Sequence, residues 1–297
     1  MLRFNEEFFK EEERCGFVVP EMMKRAWAAE MEVLEHIIMI CQKHGLTYYA
    51  DWGTLLGAVR HKGFVPWDDD MDIALKREDY MKLLSVLKKE LPPNYHISSL
   101  HTPGDHKQPI ACVMNAERLP LGTEIVQEFY GCPYIVGVDI YPLDYVPREK
   151  ELADAQLTLY NVVYDLGQRF LEIKERGELE KYLSQVEELC NVKFTRDDTL
   201  RKQIWRLSDN ICSMFTEAES DMLTWFPRQV KGHKEYLLKK EWYEGVVEMP
   251  FENITVSVPK GYHEILTLKY GDYTKYVRGG AHGYPFYQKQ EEYLRSL

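Results

Sequence analysis

With 297 residues, 45% hydrophobic and 29% charged, the chain has enough apolar side chain for one large core or two modest domains, and its composition excludes intrinsic disorder. A formal net charge of −11 excludes a protein that grips nucleic acid through its general surface, because that contact needs a basic footprint. It leaves room for a local basic pocket, and Arg60-His61-Lys62 is one such concentration. The cysteines at positions 15, 41, 112, 132, 190 and 212 form no CxxC pair and no zinc spacing with histidine, so they read as reduced thiols of a cytoplasmic protein. Neither a cleavable leader nor a membrane span is expected. The N-terminus has no apolar core, and the run Ile37 to Cys41 is far too short to cross a bilayer.

In chain order, Pro20 opens a helix that runs to about His44 and stops at Gly45. Met23, Trp27, Glu30/Met31, Leu34, Ile38 and Cys41 give it one mainly apolar face. Leu46 to Ala50 reads as a buried strand, Gly53-Thr54 as a turn, and Leu55 to Arg60 as a short helix. A loop over Lys62–Pro66 leads to a strand at Met71–Leu75 and a helix from Glu78 to Leu91, closed by Pro92-Pro93. Strand-like segments follow at Tyr95–Ser99, Ile110–Met114, Glu124–Phe129 and Tyr134–Tyr141. The first half therefore mixes helices and strands around one sheet.

From Arg148 the pattern turns helical, over about Glu149–Lys174, Glu178–Asn191 and Thr199–Glu219. A short strand-like region covers Gly245 to Val258, a last helix spans Tyr262–Tyr270, and the remainder to Leu297 is rich in Gly and Tyr. The expected class is α+β: a catalytic core over 1–147 and a mostly helical subdomain over 148–297 that completes a cleft.

The chemistry gathers at Pro66-Trp67-Asp68-Asp69-Asp70-Met71-Asp72. Alternation along a strand puts Asp70, Asp72 and Ala74 on one face and Met71, Ile73 and Leu75 on the other. Asp69 is left to solvent or to structure. Two carboxylates this close repel each other unless a cation lies between them, and an oxygen-only set suits Mg2+ or Mn2+. An EF-hand loop is excluded, since its sixth position needs Gly and Ile73 stands there. A solvated acidic turn remains as the alternative for the acids alone.

Context favours the metal. Asp51-Trp52-Gly53-Thr54-Leu55 takes a strand through a glycine into a helix, a geometry that offers phosphate a close backbone, a hydroxyl and free N–H groups. A third acid, Asp139, sits in Val136-Gly137-Val138-Asp139-Ile140-Tyr141, on the face opposite Val136, Val138 and Ile140. It reads as a metal ligand, with an acid paired to an arginine as the alternative. Asp144 lies nearer a turn and reads as structural.

The unbroken stretch from Gly53-Thr54-Leu55-Leu56-Gly57-Ala58-Val59-Arg60-His61-Lys62-Gly63-Phe64 to Val65-Pro66-Trp67-Asp68-Asp69-Asp70-Met71-Asp72-Ile73 resembles the signature of the LicD phosphocholine-transferase family, to whose broad group fukutin and the fukutin-related protein belong. Val138 to Asp144, Val258 to Tyr262 and Tyr270 to Tyr273 also look like blocks of that family, and the likeness is weak between about 150 and 240. The resemblance implies a nucleotidyltransferase-type fold. It implies transfer of a substituted phosphate from a cytidine diphosphate donor to a sugar hydroxyl of a cell-surface glycan or its lipid-linked precursor. It implies Asp70 and Asp72 as paired metal ligands, Asp139 as the third acid, and Gly53 and Thr54 at the donor phosphate; Asp68 matches a recurrent acid.

Trp52 departs from the family's small residue at that position, and its ring would narrow the donor pocket. Arg60 and, from Gly279-Gly280-Ala281-His282-Gly283, His282 are further candidates for the donor phosphates. Trp67 is either a core ring or a stacking partner for the donor. The expected location is the cytoplasm, with peripheral attachment at the inner face of the membrane for a lipid-linked acceptor. A nucleotidyltransferase that attaches a nucleotide, a metal-dependent hydrolase and a non-catalytic nucleotide-binding protein remain as alternatives.

Overall fold

The computed structural model describes residues 1–103, 108–120, 122–233, 236–278 and 283–297. In chain order the elements are β1 (Glu12–Arg14), β2 (Phe17–Val19), α1 (Glu21–His44), β3 (Tyr49–Ala50), α2 (Trp52–His61), β4 (Met71–Lys76) and α3 (Arg77–Glu90). Next come β5 (His96–Ser98), β6 (Ala111–Met114), α4 (Thr123–Glu128), β7 (Gly137–Pro147), α5 (Lys150–Arg169), α6 (Arg176–Cys190) and α7 (Leu200–Cys212). The chain closes with β8 (Ser220–Thr224), α8 (Phe226–Val230), β9 (Leu238–Lys239), β10 (Val246–Phe251), β11 (Ile254–Pro259), α9 (Tyr262–Tyr270) and α10 (Gln288–Arg295). The class is α+β, with a nucleotidyltransferase-like mixed sheet flanked by helices.

Two compact units interleave along the chain. One comprises 1–97, 112–141 and 243–297, and the other 98–111 and 142–242. Residues 243–297 thus pack with the N-terminal unit.

In the first unit the strand order is β3-β4-β7-β6-β5. Tyr49 pairs with Ala74 and Ala50 with Ile73 in antiparallel register, so Asp51 follows β3 directly opposite Asp72. The N–H of Asp51 bonds the Asp72 carbonyl at 3.0 Å. Because β7 is the other neighbour of β4, Asp139 enters the sheet beside the acidic strand. At Gly137 an added Cβ would come within 2.8 Å of the Val113 carbonyl oxygen, and this absent side chain lets β7 lie close to β6.

Helix α1 is almost wholly buried. Pro20 stands at its N-cap with φ −71°, and Gly45 ends it in the left-handed region at φ 63°. Its Trp27 ring stacks on Phe64 at 4.5 Å and donates its indole N–H to the Asp68 carbonyl at 3.2 Å. The long central helix thereby braces the backbone of the acidic run.

The loop between α2 and β4 is fixed from a distance. Glu252, at the β10–β11 turn with φ 51°, accepts from the Phe64 N–H at 3.2 Å and takes a two-pronged Arg14 guanidinium at 2.5 and 3.1 Å. Inside α2, a Cβ added to Gly57 would lie 2.3 Å from the Gly63 carbonyl oxygen. The helix and the loop that delivers the acids therefore touch backbone to backbone.

In the second unit, α5, α6 and α7 bury Tyr160, Val163, Leu183, Val186 and Ile204, and residues Asp144 to Pro147 of β7 pair with β8. No helix among the described residues is long and apolar enough to cross a membrane.

Several expectations shift. The strand over Leu46–Ala50 shrinks to β3, because Leu46 closes the end of α1 by bonding the Cys41 carbonyl at 2.9 Å. The segment Glu124–Phe129, read as a strand from Ile125 and Val126, is the helix α4. The strand-like region near 245–258 is a hairpin, the pattern near 199–219 ends as α7 at Cys212, and α10 lies in the stretch read only as Gly- and Tyr-rich. Replacing Gly57 by Ala should cost about 1–3 kcal/mol in urea denaturation, because the new methyl meets main chain that cannot rotate away. An unchanged midpoint would show that this close approach is not required.

Candidate functional site

The site is built on α1, β4 and β7 of the first unit. β4 is buried from Met71 to Leu75, so the strand that carries Asp72 has apolar packing on both sides. Asp72 is held at two points: its carbonyl by Asp51, and its N–H by the Thr54 hydroxyl oxygen at 2.8 Å. The Gly53-Thr54 pair, expected as a turn before a helix that begins at Leu55, lies in the first turn of α2, which begins at Trp52. Thr54 is 2% exposed. A Cβ on Gly53 would stand 1.9 Å from a carboxylate oxygen of Asp68, so the glycine leaves space for that acid.

Asp70 is the electrostatic centre. Its charge acts on Asp68, Asp72, Asp139, Glu30 and Tyr141. Asp68, Asp69 and Asp70 can bring one oxygen each within 4.8 Å of one another. Within this trio Asp69 is tied elsewhere: it is buried and accepts from the Phe286 N–H at 2.6 Å, which makes it structural. Asp68 and Asp70 are joined carboxyl to carboxyl.

Burial raises the Asp72 carboxyl well above the usual range, and the charges of Asp70, Asp139, Asp68 and Asp51 add to the rise. Burial, with Asp70 adding, lifts Asp139 to about 6, while a hydrogen bond from the Cys112 thiol works against the rise. Glu30 is driven up in the same way, first by burial and then by Asp70, Asp69, Asp68 and Asp72. The Cys112 thiol is pushed up by burial and by Asp139.

Cations are scarce here. Lys269, 2% exposed, forms an ion pair with Asp51 and stands 4.2 Å from the centre of the Trp52 ring. Among the described residues no lysine or arginine pairs with Asp70, Asp72 or Asp139. Trp52 takes φ 45° and packs against Tyr141 at 5.8 Å, so the bulky ring is held between α9 and β7.

A cavity of about 490 Å³ opens on the acids, lined by Glu30, Asp69, Asp70, Cys112, Asp139 and Lys289 among others. Asp70 and Asp139 stand on the cavity wall and Asp72 does not; among the described residues, the carboxylates that can meet around one point are those of Asp68, Asp69 and Asp70. Gly53, Thr54 and Arg60 are not lining residues. Arg60 donates to the carbonyls of Tyr273 and Lys275 at 2.8 and 2.9 Å and so anchors the segment after α9. His282 lies outside the described residues. Trp67 is half-buried, with the Arg278 guanidinium 5.7 Å from its ring centre.

Glu30, Lys269 and the cavity-wall Lys289 escaped the sequence reading. Glu30 was placed within the apolar face of its helix, although a charge at a core-facing position is itself a signal. Lys269 carries no local mark, since its partner Asp51 is distant in sequence.

Residues 45–107 match the LicD/FKTN/FKRP nucleotidyltransferase domain family. Over those residues the chain is similar to a LicD-family domain. The match takes in Gly53, Thr54, Arg60 and the acidic run, and leaves Glu30 and Asp139 outside. Over 259 residues, 82% of this chain and 88% of the relative, the sequence is 27% identical to lipopolysaccharide cholinephosphotransferase LicD of Haemophilus influenzae. It is 32% identical over 81 residues to human ribitol 5-phosphate transferase FKRP, or 24% of this chain and 16% of that protein. An uncharacterized protein of Rickettsia prowazekii shares 43% over 56 residues, which is 19% of this chain and 21% of that one.

The raised acids of the site give a pH test. A carboxyl whose folded pKa lies above its unfolded value penalises folding increasingly as pH rises between the two, and the penalty is complete above the folded value. For Asp139 that window runs from 3.8 to about 6. In cation-free buffer, Asp139→Asn should therefore gain melting temperature over the wild type as pH rises through this window, then hold the gain. A difference that does not change with pH would contradict the electrostatic account.

Proposed function

We propose that the chain is a metal-dependent phosphotransferase, which moves a substituted phosphate of the phosphocholine type from a cytidine-diphosphate-linked alcohol to a sugar hydroxyl. The acceptor is a cell-surface glycan or its precursor. One observation carries the reading: Asp70 and Asp72, at the start of β4, lie within electrostatic reach of Asp139 on the neighbouring β7, and no lysine or arginine pairs with them among the described residues. Support comes from the alignment that spans most of a cholinephosphotransferase and from the shorter match to a ribitol phosphate transferase.

The donor set fits Mg2+ or Mn2+. It is made of carboxylate oxygens, it is partly buried, and its like charges repel one another. Asp70, Asp72 and Asp139 would hold the ion, which when bound would supply positive charge and Lewis acidity toward a diphosphate. The other roles belong to the chain. Thr54 and Asp51 fix the Asp72 backbone, so the carboxylate keeps its orientation. Asp139, an acid beside the ion and the nucleophile, would also take the proton of the attacking hydroxyl. The hydroxyl oxygen forms the new bond to phosphorus, and cytidine monophosphate leaves. Lys289 on the cavity wall is placed to meet donor phosphate, and the Gly53-Thr54 end of α2, Arg60 and His282 remain proposed for the same task. The reading locates the enzyme in the cytoplasm, in peripheral contact with the membrane when the acceptor is lipid-linked.

The test is to incubate the full chain with Mg2+, a glycan acceptor and a panel of cytidine diphosphate donors bearing choline, ethanolamine, glycerol or ribitol. Release of cytidine monophosphate is expected with one of them. Asp70→Asn should lower it by about two orders of magnitude or more while the protein stays folded. Full turnover in that variant, or in excess EDTA, would overturn the proposal. The matched domain's own description favours one second reading, transfer of the nucleotide half. A donor labelled separately in base and alcohol decides between them by which label reaches the acceptor.

A further inference from the structure

We propose that Glu30, on α1 and outside the matched motif, is a carboxylate ligand of a hard divalent cation on the cavity face of the site, where it acts with Asp70 and Asp139. The inference rests on the reading that the acid cluster holds a cation.

Glu30 is 2% exposed, and its Oε2 has no hydrogen-bond partner. It lines the same cavity as Asp70 and Asp139, so its side chain belongs to the wall of the site rather than to the general core. The side chains nearest to it in charge are Asp70, Asp69, Asp68 and Asp72, all of its own sign.

Among the described residues, buried charges of this unit away from the acid cluster are satisfied. Glu32, two residues on, accepts from the Leu2 N–H at 2.7 Å and from the Tyr130 hydroxyl. Lys24 pairs with Glu12, Asp51 with Lys269, and Glu252 with Arg14. A buried acid left without a donor or cation costs free energy, and among the described residues Glu30 has neither. A cation beside Asp70 and Asp139 supplies what it lacks. Three elements, α1, β4 and β7, would then clamp one ion, and the set offers oxygen alone, which selects Mg2+ or Mn2+ over thiolate-preferring metals.

The experiment is titration calorimetry of Mn2+ into the substrate-free full chain, for the wild type, Asp70→Asn, Glu30→Gln and Glu30→Asp, with thermal melts to verify folding. Glu30→Gln should weaken Mn2+ about tenfold or remove one equivalent of bound ion, and Glu30→Asp, which keeps the charge, should recover part of the loss. Wild-type affinity and stoichiometry in Glu30→Gln, with binding lost in Asp70→Asn, would overturn the role of Glu30 and leave the cation site standing. A wild-type chain that takes no Mn2+ would overturn both. Should Glu30→Gln fail to fold, Glu30→Asp decides alone: wild-type Mn2+ binding in that variant, whose shorter arm retracts the carboxylate, would overturn the proposal.

Discussion

Buried like charge is the constraint on which the rest of the first unit depends. Burial raises the carboxyls of Asp68, Asp72, Asp139 and Glu30, and the charge of Asp70 acts on all four. Such an arrangement persists where the surroundings fix each carboxyl and where protonation or a bound cation relieves the repulsion. The fixation is visible. Trp27 and Asp51 hold backbone of the acidic run, Thr54 holds the Asp72 N–H, and Glu252 with Arg14 pins the loop before it. Gly53 and Gly57 are small because a carboxylate and a carbonyl occupy the space of their side chains.

The same constraint organises the distant parts of the chain. Phe286 reaches Asp69 and Lys269 reaches Asp51, so segments after residue 243 complete the surroundings of acids near residue 70. That explains why 243–297 packs in the first unit although the chain passes through the other unit before returning. A division drawn in chain order near residue 147 follows the change of texture from mixed to helical. It does not register this return, because hydrophobic periodicity is local and the bonds that recruit the last segment are not.

The sequence made legible whatever local pattern decides. The Pro20 to Gly45 helix, the strand from Met71 that carries Asp72, and the Tyr262–Tyr270 helix have clear caps or periods, and the structure has them there, although Asp70 precedes the strand. Short elements were less readable. Six residues with Ile125 and Val126 favour strand by side-chain shape, yet Thr123–Glu128 is helical, where tertiary context outweighs a weak propensity. The acids of the motif were readable because three aspartates in a row ask for an explanation. Glu30 was not, because a helix stripe of Met23, Trp27, Met31 and Leu34 absorbs one charged neighbour without breaking its period. Thr54 offered a hydroxyl for phosphate by sequence and gives it to the backbone of Asp72 in the fold, a use only tertiary proximity reveals.

The central claim is that this cluster exists to hold a cation. Anomalous diffraction at the manganese edge, from crystals of the full chain grown in saturating Mn2+, tests it most directly. The account predicts a peak in contact with the carboxylates of Asp70, Asp72 and Asp139. A map with no peak among these acids would contradict it.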